Sequence, residues 1–427
     1  MFIHARNKKV KKVIGLDFGT TNTVVAVSDG TTTVPLTFSQ GDTRVNSTPT
    51  VLFFENGTSR ILIGEAATRE YMDDPDNGRY LRSIKSTLSS RTFDHTIIQG
   101  KQMNAEDLVY TFLNLLKRRV LDETGIEIKE VVLGHPVRFS NDPEMHQIAK
   151  ERLTRAAARA GFGPITLCEE PVGALYAYAH KLHNTDPQTV VVCDIGGGTS
   201  DFTLAKVMPS GTIDVIGVAG TRLGGDDFDS AIMWEKLAHL FGRNSTYKSM
   251  FGNVMPMPHA ITYQLRRPHL IPLLRDRKTI NTIIEIQRHS DNPKAIKRLM
   301  TLVQGNYGLQ LFREIEQAKK NLTGTDSTAL RFEEDDLDVN TTLTRDEFEA
   351  YTLQVIDGII SELEKFLDKH DIIPDEIDHV FVTGGTSHVP AFQRRLKDLF
   401  PETGKVVTGD AFASVAYGLA TYGARNG

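Results

Sequence analysis

Short runs of apolar residues, each ended by glycine, recur along this chain. The clearest run occupies residues 190–205, VVVCDIGGGTSDFTLA. Its small and β-branched residues predict a strand that is buried on both faces. Three glycines follow, and a second apolar run begins near Asp201. The pattern predicts a β-hairpin whose turn carries almost no side chains.

A similar pattern opens the chain at residues 13–27, VIGLDFGTTNTVVAV. Asp17 aligns with Asp194, and Gly19 aligns with Gly196. Thr20 and Thr21 then fall on the second and third glycines of the later turn. The two segments form a weak internal repeat with a spacing of about 177 residues, which is too long for a solenoid. The repeat predicts two similar lobes, each with one hairpin.

Helical patterns alternate with these apolar runs. Asn104 and Asp107 predict the start of a helix that ends at Gly125, and Asn141 and Asp142 with Pro143 predict the start of another. Thr344 and Glu347 predict a capping box at the start of a long amphipathic helix. Further helices are predicted over 174–182, 309–322 and 411–422, with strands over 130–134 and 165–171. The alternation predicts the α/β class.

Residues 243–300 break this alternation, since they look irregular and then helical. The segment mixes Met, Pro and bulky apolar residues. We interpret it as a packed, proline-bent subdomain in preference to a partner-binding face. The acidic run at 333–336 predicts an exposed loop.

The composition is that of an ordinary globular protein, with 40% hydrophobic and 24% charged residues. The net charge of −5 gives no global basic field, so neither nucleic acid nor a membrane is an expected partner. No apolar run reaches 18 residues, and residues 1–12 lack the apolar core of a secretory signal. Cys168 and Cys193 lie in apolar segments. We expect a cytoplasmic protein with both thiols reduced.

Glycine-rich turns of this kind can bind phosphate, because backbone N–H groups reach the ligand without obstruction by side chains. An aspartate just before the turn suits Mg²⁺, which accompanies phosphate. The simpler alternative is a tight hairpin without a ligand. Gly224 and Gly225 precede a helix whose N-terminus can attract an anion. Gly384 and Gly385 lie between another strand and helix.

Six motifs occur in one order along residues 13 to about 422: GLDFGTTNT, EEPVGALYAY, DIGGGTSDF, LGGDDFD, EQAKKNL and VTGGTS. With them the chain resembles the actin, sugar-kinase and heat-shock-chaperone ATPase superfamily. It is most similar to the nucleotide-binding region of DnaK-type chaperones. Residues 243–312 do not look like the usual chaperone lobe, which suggests the YegD-like branch that lacks the peptide-binding domain.

The resemblance implies an α/β protein with the two-lobed actin-like ATPase fold, a duplicated ribonuclease H-like core with a subdomain inserted in each lobe. Lobe I would span residues 1–184, with its inserted subdomain at about 46–128. Lobe II would span residues 185–427, with its inserted subdomain at about 233–312.

The resemblance also implies a site for ATP or ADP with Mg²⁺. Asp17 and Asp194 would hold the hydrated metal, and Asp201 would help to order the attacking water. Lys85 would reach the γ-phosphate, and Glu170 would assist the water. The two phosphate loops would be formed by Gly19, Thr20, Thr21 and Asn22, and by Gly196, Gly197, Gly198 and Thr199.

The nucleoside side of the implied site lies later in the chain. Three charged residues would flank the adenosine, and glycines would lie under it and complete the cradle. These residues are Glu316, Lys319, Lys320, Gly384, Gly385, Thr386, His388, Gly224 and Gly225. From the residues alone, Lys319 and Lys320 would equally suit a solvated surface.

Departures from the chaperone pattern limit the resemblance. His388 stands where the chaperones usually carry an arginine that stacks on adenine. Pro136 is kept without the arginine that the family uses with it in interdomain signalling. The sequence stops at Gly427 without the acidic-hydrophobic linker and the β-sandwich peptide-binding domain. We therefore expect no peptide clamp of the usual kind.

The leading hypothesis is an ATP-binding, Mg²⁺-dependent, slow ATPase with a chaperone-like role and an unidentified protein client or co-chaperone. Three alternatives of the same superfamily remain open at this stage. They are a small-molecule kinase, a nucleotide-dependent filament protein that resembles actin, and a nucleotide sensor that does not hydrolyse ATP.

Overall fold

The computed structural model describes residues 12–41, 43–179, 185–402, 405–408 and 413–426. These residues form two compact units. Unit 1 contains the described parts of 1–222, 359–387 and 393–427, and unit 2 contains 223–358 and 388–392. The basic N-terminal residues 1–11 and parts of two predicted helices, 180–182 and 411–412, lie outside the described residues. The lobe boundaries expected from the resemblance stay a prediction.

The strands are mostly short. In chain order they are β1 Val13–Phe18, β2 Asn22–Ser28, β3 Thr33–Pro35, β4 Phe38–Gln40, β5 Thr43–Val45, β6 Ser47–Pro49, β7 Val51–Glu55, β8 Ile61–Ile63, β9 Gly78–Arg82, β10 Thr96–Ile98, β11 Lys101–Met103, β12 Glu130–His135, β13 Ile165–Glu169, β14 Gln188–Ile195, β15 Ser200–Val207, β16 Ile213–Thr221, β17 Thr246–Lys248, β18 Val254–Pro256, β19 Ser327–Glu334, β20 Leu337–Thr344, β21 His379–Thr383 and β22 Val406–Thr408.

The α-helices are, in chain order, α1 Gly64–Asp73, α2 Ala105–Thr124, α3 Pro143–Arg159, α4 Glu170–Ala179, α5 Gly225–Ile232, α6 His259–Tyr263, α7 Arg277–His289, α8 Pro293–Gln304, α9 Gly308–Asn321, α10 Arg345–Lys369, α11 Pro390–Leu399 and α12 Ser414–Asn426. Among the described residues, none of the helices has the length and hydropathy needed to cross a membrane.

Two larger sheets of unit 1 share one topology. The first sheet has the strand order β13-β12-β1-β2-β3, with β6 also paired to β2. The second sheet has the order β22-β21-β14-β15-β16. In each, a central antiparallel hairpin is flanked by one further antiparallel strand and by two parallel strands. The internal repeat read from the sequence is therefore present in the strand order.

The central strands are buried as their apolar composition predicts. In β14, Val190, Val191, Val192 and Cys193 are all fully buried. Helices α2 and α3 cover the first sheet with an apolar core. Cys168 and Cys193 are buried and free, and burial raises the pKa of the Cys168 thiol to about 12.

The helix α12 packs tightly on α4 and on the first sheet. A Cβ atom on Gly418 would clash with the backbone carbonyl of Gly173, so glycine is needed at this helix crossing. A Cβ on Gly15 of β1 would clash with the backbone of α12 in the same way. Val24 and Ala26 of β2 form a small apolar cluster with this helix.

Unit 2 contains the hairpins β17–β18 and β19–β20 and the helices α5 to α9, with the first part of α10. The predicted capping box of α10 is present, since the Thr344 N–H donates to Glu347 and the Glu347 N–H donates to the Thr344 hydroxyl. Residues 243–300 continue into helices as predicted, but the part expected to be irregular contains the β17–β18 hairpin, which the sequence did not predict. The acidic run at 333–336 is exposed as expected, but it is the tip of the β19–β20 hairpin and not a plain loop.

Candidate functional site

A pocket in unit 1 lies where three strands end. The parallel strands β14 and β21 finish side by side, with Asp194 opposite Thr383. Three glycine-containing turns follow β1, β14 and β21. The lining residues are Asp17, Gly19, Thr20, Thr21, Asn22, Val24, Lys85, Glu170, Asp194, Gly196, Gly197, Gly198, Thr199, Gly384, Gly385 and Val415. Most of the residues predicted from the sequence therefore meet in one place.

The first turn joins β1 to β2. A Cβ atom on Gly19 would clash with the backbone carbonyl of Asn22, so the turn needs glycine here. The Thr21 carbonyl accepts a hydrogen bond of 2.8 Å from the Thr50 N–H. These contacts fix the backbone of the turn, and its threonine side chains line the pocket.

The second turn joins β14 to β15 and is closed by a 2.9 Å hydrogen bond from the Gly196 N–H to the Thr199 carbonyl. A Cβ atom placed on Gly198 would lie 3.7 Å from the Thr20 Cγ2 atom. The two turns of the repeat therefore face each other across a gap of side-chain dimensions.

The third turn follows β21. Gly384 has a φ of +88°, and a Cβ there would clash with the Ile195 carbonyl. Only glycine combines this left-handed backbone with so close an approach to β14. Gly385 follows in the lining of the pocket, and Thr386 is buried behind it.

An ion pair joins two of the predicted catalytic residues, Lys85 and Glu170. Lys85 lies in a 3-10 helix, Ile84–Ser89, and Glu170 begins α4. The Lys85 Nζ atom donates to the Glu170 Oε1 atom at 2.5 Å. The two residues are only 4% and 7% exposed. Lys85 is therefore not a solvated surface lysine, since buried lysines require such a partner.

Three aspartates surround this pair. Burial, and next the Glu170 charge, raise the pKa of Asp194 to about 8 and that of Asp201 to about 7. The same two causes raise the pKa of Asp17 well above its usual value. Asp201 does not line the pocket. It lies opposite Asp194 in the hairpin and accepts a 3.3 Å hydrogen bond from the Val137 N–H.

The site thus holds four carboxyl groups and one lysine. Such an excess of acidic groups suits a bound cation, because a cation would relieve their mutual repulsion. Within the part of the chain that the structure describes, no three His, Cys, Asp or Glu side chains form a direct metal-ligand cluster. Mg²⁺ fits this donor set, since it keeps several of its waters and uses one or two carboxylates.

The remaining predicted residues belong to unit 2. Gly224 caps α5, and its N–H donates to Asp227 at 2.9 Å. Lys319 of α9 pairs with Asp229 at 2.7 Å and donates to the Gly225 carbonyl at 3.2 Å. His388, at the end of a short 3-10 helix, is exposed.

Two neighbouring lysines of α9 therefore differ. Burial, the largest single cause, would lower the pKa of Lys319, but the charge and hydrogen bond of Asp229 together with the charges of Glu316 and Asp226 raise it. Lys320 forms an i,i+4 pair with Glu316 at 2.8 Å, and both are well exposed. Lys319 is a largely buried cation with a partner, whereas Lys320 has the solvated geometry that the sequence also allowed.

Sequence reasoning missed three residues. Val24 and Val415 line the pocket with apolar surface. Asp229, which holds Lys319, lies in the quoted motif LGGDDFD but was not singled out. Its position four residues after Gly225, on the first turns of a short helix, was the only available signal.

A family model described as Hsp70 protein matches residues 13–249 and 302–424. These ranges cover more than four fifths of the chain. The chain belongs to the Hsp70 family. The predicted resemblance to DnaK-type chaperones is thereby confirmed at the level of the family.

As a member of the Hsp70 family, the chain is an ATP-binding, chaperone-like protein with the actin-like ATPase fold of mixed α/β class. Hsp70 proteins generally bind ATP or ADP with Mg²⁺, which agrees with the donor set of the pocket. The stretch that the family model leaves unmatched, residues 250–301, falls inside the segment 243–312 that looked unusual in the sequence.

Proposed function

We propose that this Hsp70-family chain is a slow, Mg²⁺-dependent ATPase that uses the unit 1 pocket to transfer the γ-phosphoryl group of ATP to water. The observation that carries the proposal is the buried pair of Lys85 and Glu170 among the three glycine turns. We assign the chain to the YegD-like branch, since residues 250–301 depart from the family model.

The two facing turns would bind the phosphates. Their backbone N–H groups can donate to phosphate oxygens, because glycine leaves the backbone accessible. Thr20, Thr21, Asn22 and Thr199 would add side-chain donors. Phosphoryl transfer depends mainly on this kind of positioning and on charge neutralisation, and little on covalent help from the protein.

Asp17 and Asp194 would hold hydrated Mg²⁺ from the ends of β1 and β14. When bound, the metal would neutralise charge on the phosphate oxygens. The raised pKa values of both aspartates fit such a role, because carboxyl groups that repel one another gain most from a nearby cation.

Lys85 would contact the γ-phosphate oxygens, and Glu170 would accept a proton from the attacking water. Asp201 would orient that water from behind the second turn. Lys85 and Glu170 pair with each other in the protein itself. When ATP binds, a γ-phosphate oxygen would therefore replace Glu170 as the partner of Lys85. Water needs no acceptor pocket, and these residues suit it better than a sugar hydroxyl.

The residues of unit 2 enter the proposal through the family motifs and not through geometry. Glu316, Lys319 and Lys320 would contact the adenosine and Gly224 and Gly225 would complete the cradle, to which unit 1 would contribute Gly384 and Gly385. His388 would stack on adenine without the permanent charge of arginine. We further propose a cytoplasmic protein whose nucleotide state is read by a protein client or co-chaperone.

The test measures ATP binding by calorimetry and phosphate release without added acceptor, for wild type and Lys85→Ala. We expect hydrolysis to fall about 100-fold or more, because a preorganised charge on the reacting group is lost. Binding should change by less than about tenfold, since the turns are intact. Lys206→Ala, an exposed lysine on β15, is the matched control and should behave as wild type.

Lys85→Ala also leaves the buried Glu170 without a partner, which is destabilising. The double variant Lys85→Ala/Glu170→Gln removes both charges. Comparison of its stability with that of Lys85→Ala shows whether lost activity in the single variant comes from misfolding or from lost catalysis. Unchanged turnover in folded Lys85→Ala would contradict the catalytic role proposed for Lys85. No binding of ATP or ADP by wild type would overturn the proposal as a whole.

A further inference from the structure

The segment that the family model does not match has a charge opposite to that of the rest of the chain. Residues 250–301 hold nine lysines and arginines against three aspartates and glutamates. The rest of the chain holds 40 against 51. No carboxylate side chain occurs between Glu235 and Asp276. This part of unit 2 therefore has a local positive field that the net charge of the whole protein conceals.

An exposed apolar hairpin stands in this basic region. The β17–β18 hairpin, which we call the tip hairpin, covers residues 246–256. A 2.9 Å hydrogen bond from the Gly252 N–H to the Ser249 carbonyl closes its turn. The two central residues of the turn, Met250 and Phe251, are 88% and 87% exposed.

Neither residue packs into the core, and the turn conformation does not favour either of them. Central turn positions favour Gly, Pro, Asn, Asp and Ser, each for a backbone reason that neither Met nor Phe supplies. Val254 and Met255 extend the exposed apolar surface down the second strand. Most large apolar side chains of this protein are buried. An exposed apolar patch of this kind therefore indicates a surface that a membrane or another molecule covers.

The tip hairpin is held firmly at its base. The Asp291 N–H donates to the Thr246 carbonyl, and both the N–H and the hydroxyl of Thr246 donate to the Asp291 carboxylate, all at 2.9 Å. A bridge between Tyr247 and Ser290 fixes the hairpin beside the end of α7. The apolar tip is therefore presented on a fixed support.

Several basic side chains lie on the tip hairpin or on the helices next to its base. Lys248 lies opposite Val254, so the two side chains share one face of the hairpin. Arg288 and His289 end α7 next to the bridged Ser290, although both contact Glu285. Lys294, on the first turn of α8, is exposed and forms no ion pair with any described residue. An apolar tip with flanking cations is the chemistry of proteins that insert shallowly into anionic lipid.

We propose that the tip hairpin docks this protein on an anionic lipid surface, with Met250 and Phe251 inserted at the acyl boundary and Lys248 at the headgroups. A convex tip of flexible and aromatic side chains fits a deformable apolar layer. Nucleic acid suits it less, because Met250, Val254 and Met255 cannot stack on bases. The lysine stem can lie along the apolar layer while its ammonium group stays at the surface.

The test is co-sedimentation of the full chain with vesicles of phosphatidylcholine alone and of phosphatidylcholine with phosphatidylglycerol. We expect binding to the anionic vesicles only, weakened by salt. Met250→Ser/Phe251→Ser should weaken it at least about tenfold, because both apolar anchors are lost. Lys248→Glu should weaken it about fivefold or more, the effect of one cation near an anionic surface.

Matched controls come from a second exposed hairpin, β10–β11. Ile97 is 64% exposed and Lys101 is exposed, so Ile97→Ser makes the same kind of change as each serine substitution at the tip, and Lys101→Glu reverses one charge as Lys248→Glu does. Both controls should bind vesicles as wild type does. ATP binding by every variant, measured in parallel, checks that the fold is intact.

Three results would overturn the proposal. Wild type could fail to sediment with anionic vesicles. The tip variants could sediment as wild type does. A fluorescent single-stranded RNA could bind tightly and lose its affinity on Phe251→Ser while vesicles do not bind, which would assign the surface to nucleic acid. None of these results bears on ATP hydrolysis in unit 1.

Discussion

The hairpins β1–β2 and β14–β15 have the same place in two sheets of the same strand order. Each carries an aspartate at the end of its first strand and a glycine two residues later. Their second strands differ. The residue opposite Asp17 is Val24, whereas the residue opposite Asp194 is Asp201.

The turns differ as well. The first presents threonine side chains, and the second presents bare backbone at Gly197 and Gly198. The repeated backbone therefore places two aspartates in equivalent positions, while an additional acidic group belongs to the second hairpin alone. Comparison of equivalent positions in the two hairpins separates what the shared scaffold needs from what the chemistry needs.

The largest expected effect comes from making the second turn resemble the first. Gly198→Val puts methyl groups into the gap that faces Thr20, where a Cβ alone would lie 3.7 Å from that side chain. We expect ATP affinity to fall about 100-fold or more, because the side chain occupies the space of a phosphate. Calorimetry on the folded variant measures this.

Thr21→Val is the matched change in the first hairpin, at the position equivalent to Gly198. It keeps the shape of the side chain and removes one hydroxyl, so affinity should stay within about fivefold. Equal losses in the two variants would contradict the assignment of separate roles to the turns.

An intermediate effect is expected on the pH dependence of the free energy of unfolding, through Asp194 and Asp17. The folded-state pKa of Asp194 is raised to about 8, from 3.8, so the native state binds the extra proton. Its contribution to stability is therefore complete below about pH 4 and is lost as the pH rises through about 8. Asp194→Asn removes that loss, and at pH 8 without Mg²⁺ it should raise the free energy of unfolding by ~2 kcal/mol.

Denaturant unfolding near pH 5 and pH 8 measures the effect, and Asp17→Asn should act in the same direction. Asp29→Asn is the control, since hydrogen bonds, first from the Thr32 N–H, lower the pKa of Asp29 to about 2. The control should not gain stability at high pH. A wild type that becomes more stable from pH 5 to pH 8 without Mg²⁺ would contradict the prediction.

The smallest expected effect comes from Thr199, which hydrogen-bonds Asp201. Burial and the Glu170 charge raise the pKa of Asp201 to about 7, and the Thr199 hydroxyl opposes that rise. Thr199→Val should move the pKa higher. If ionised Asp201 orients the water, hydrolysis near pH 7 should fall about threefold and recover at higher pH.

The pH profile of phosphate release measures this shift, with Asn22→Ala as the equivalent change in the first hairpin. Asn22→Ala should leave the midpoint of the profile unchanged, because Val24 stands where Asp201 would be. A shift of the midpoint in both variants would show that the two hairpins are not chemically distinct in this respect.

The sequence predicted those features that local chemistry determines. The hairpin turns follow from glycines that avoid clashes within a few residues, as at Gly19. The caps at Asn104 and Thr344 follow from side chains that bond to nearby N–H groups. These signals lie within one turn of chain, so a single sequence carries them.

Features that depend on packing between distant parts of the chain could not be predicted from the sequence. Lys85 and Glu170 are 85 residues apart, and nothing in either neighbourhood reveals that burial forces them to pair. The β19–β20 hairpin was missed because its acidic tip resembled a loop. The Lys319–Asp229 pair likewise joins two helices that only the folded unit brings together.

The tight packing of α12 has a consequence for synthesis of the protein. Residues 414–426 cover strands that are synthesised well before this helix, and Gly418 and Gly15 leave no room for a substitute side chain. The apolar face of β1 and β2 therefore lacks this cover until α12 has been synthesised. Exposed apolar surface of this kind favours aggregation during that interval, although the folded protein itself belongs to a chaperone family.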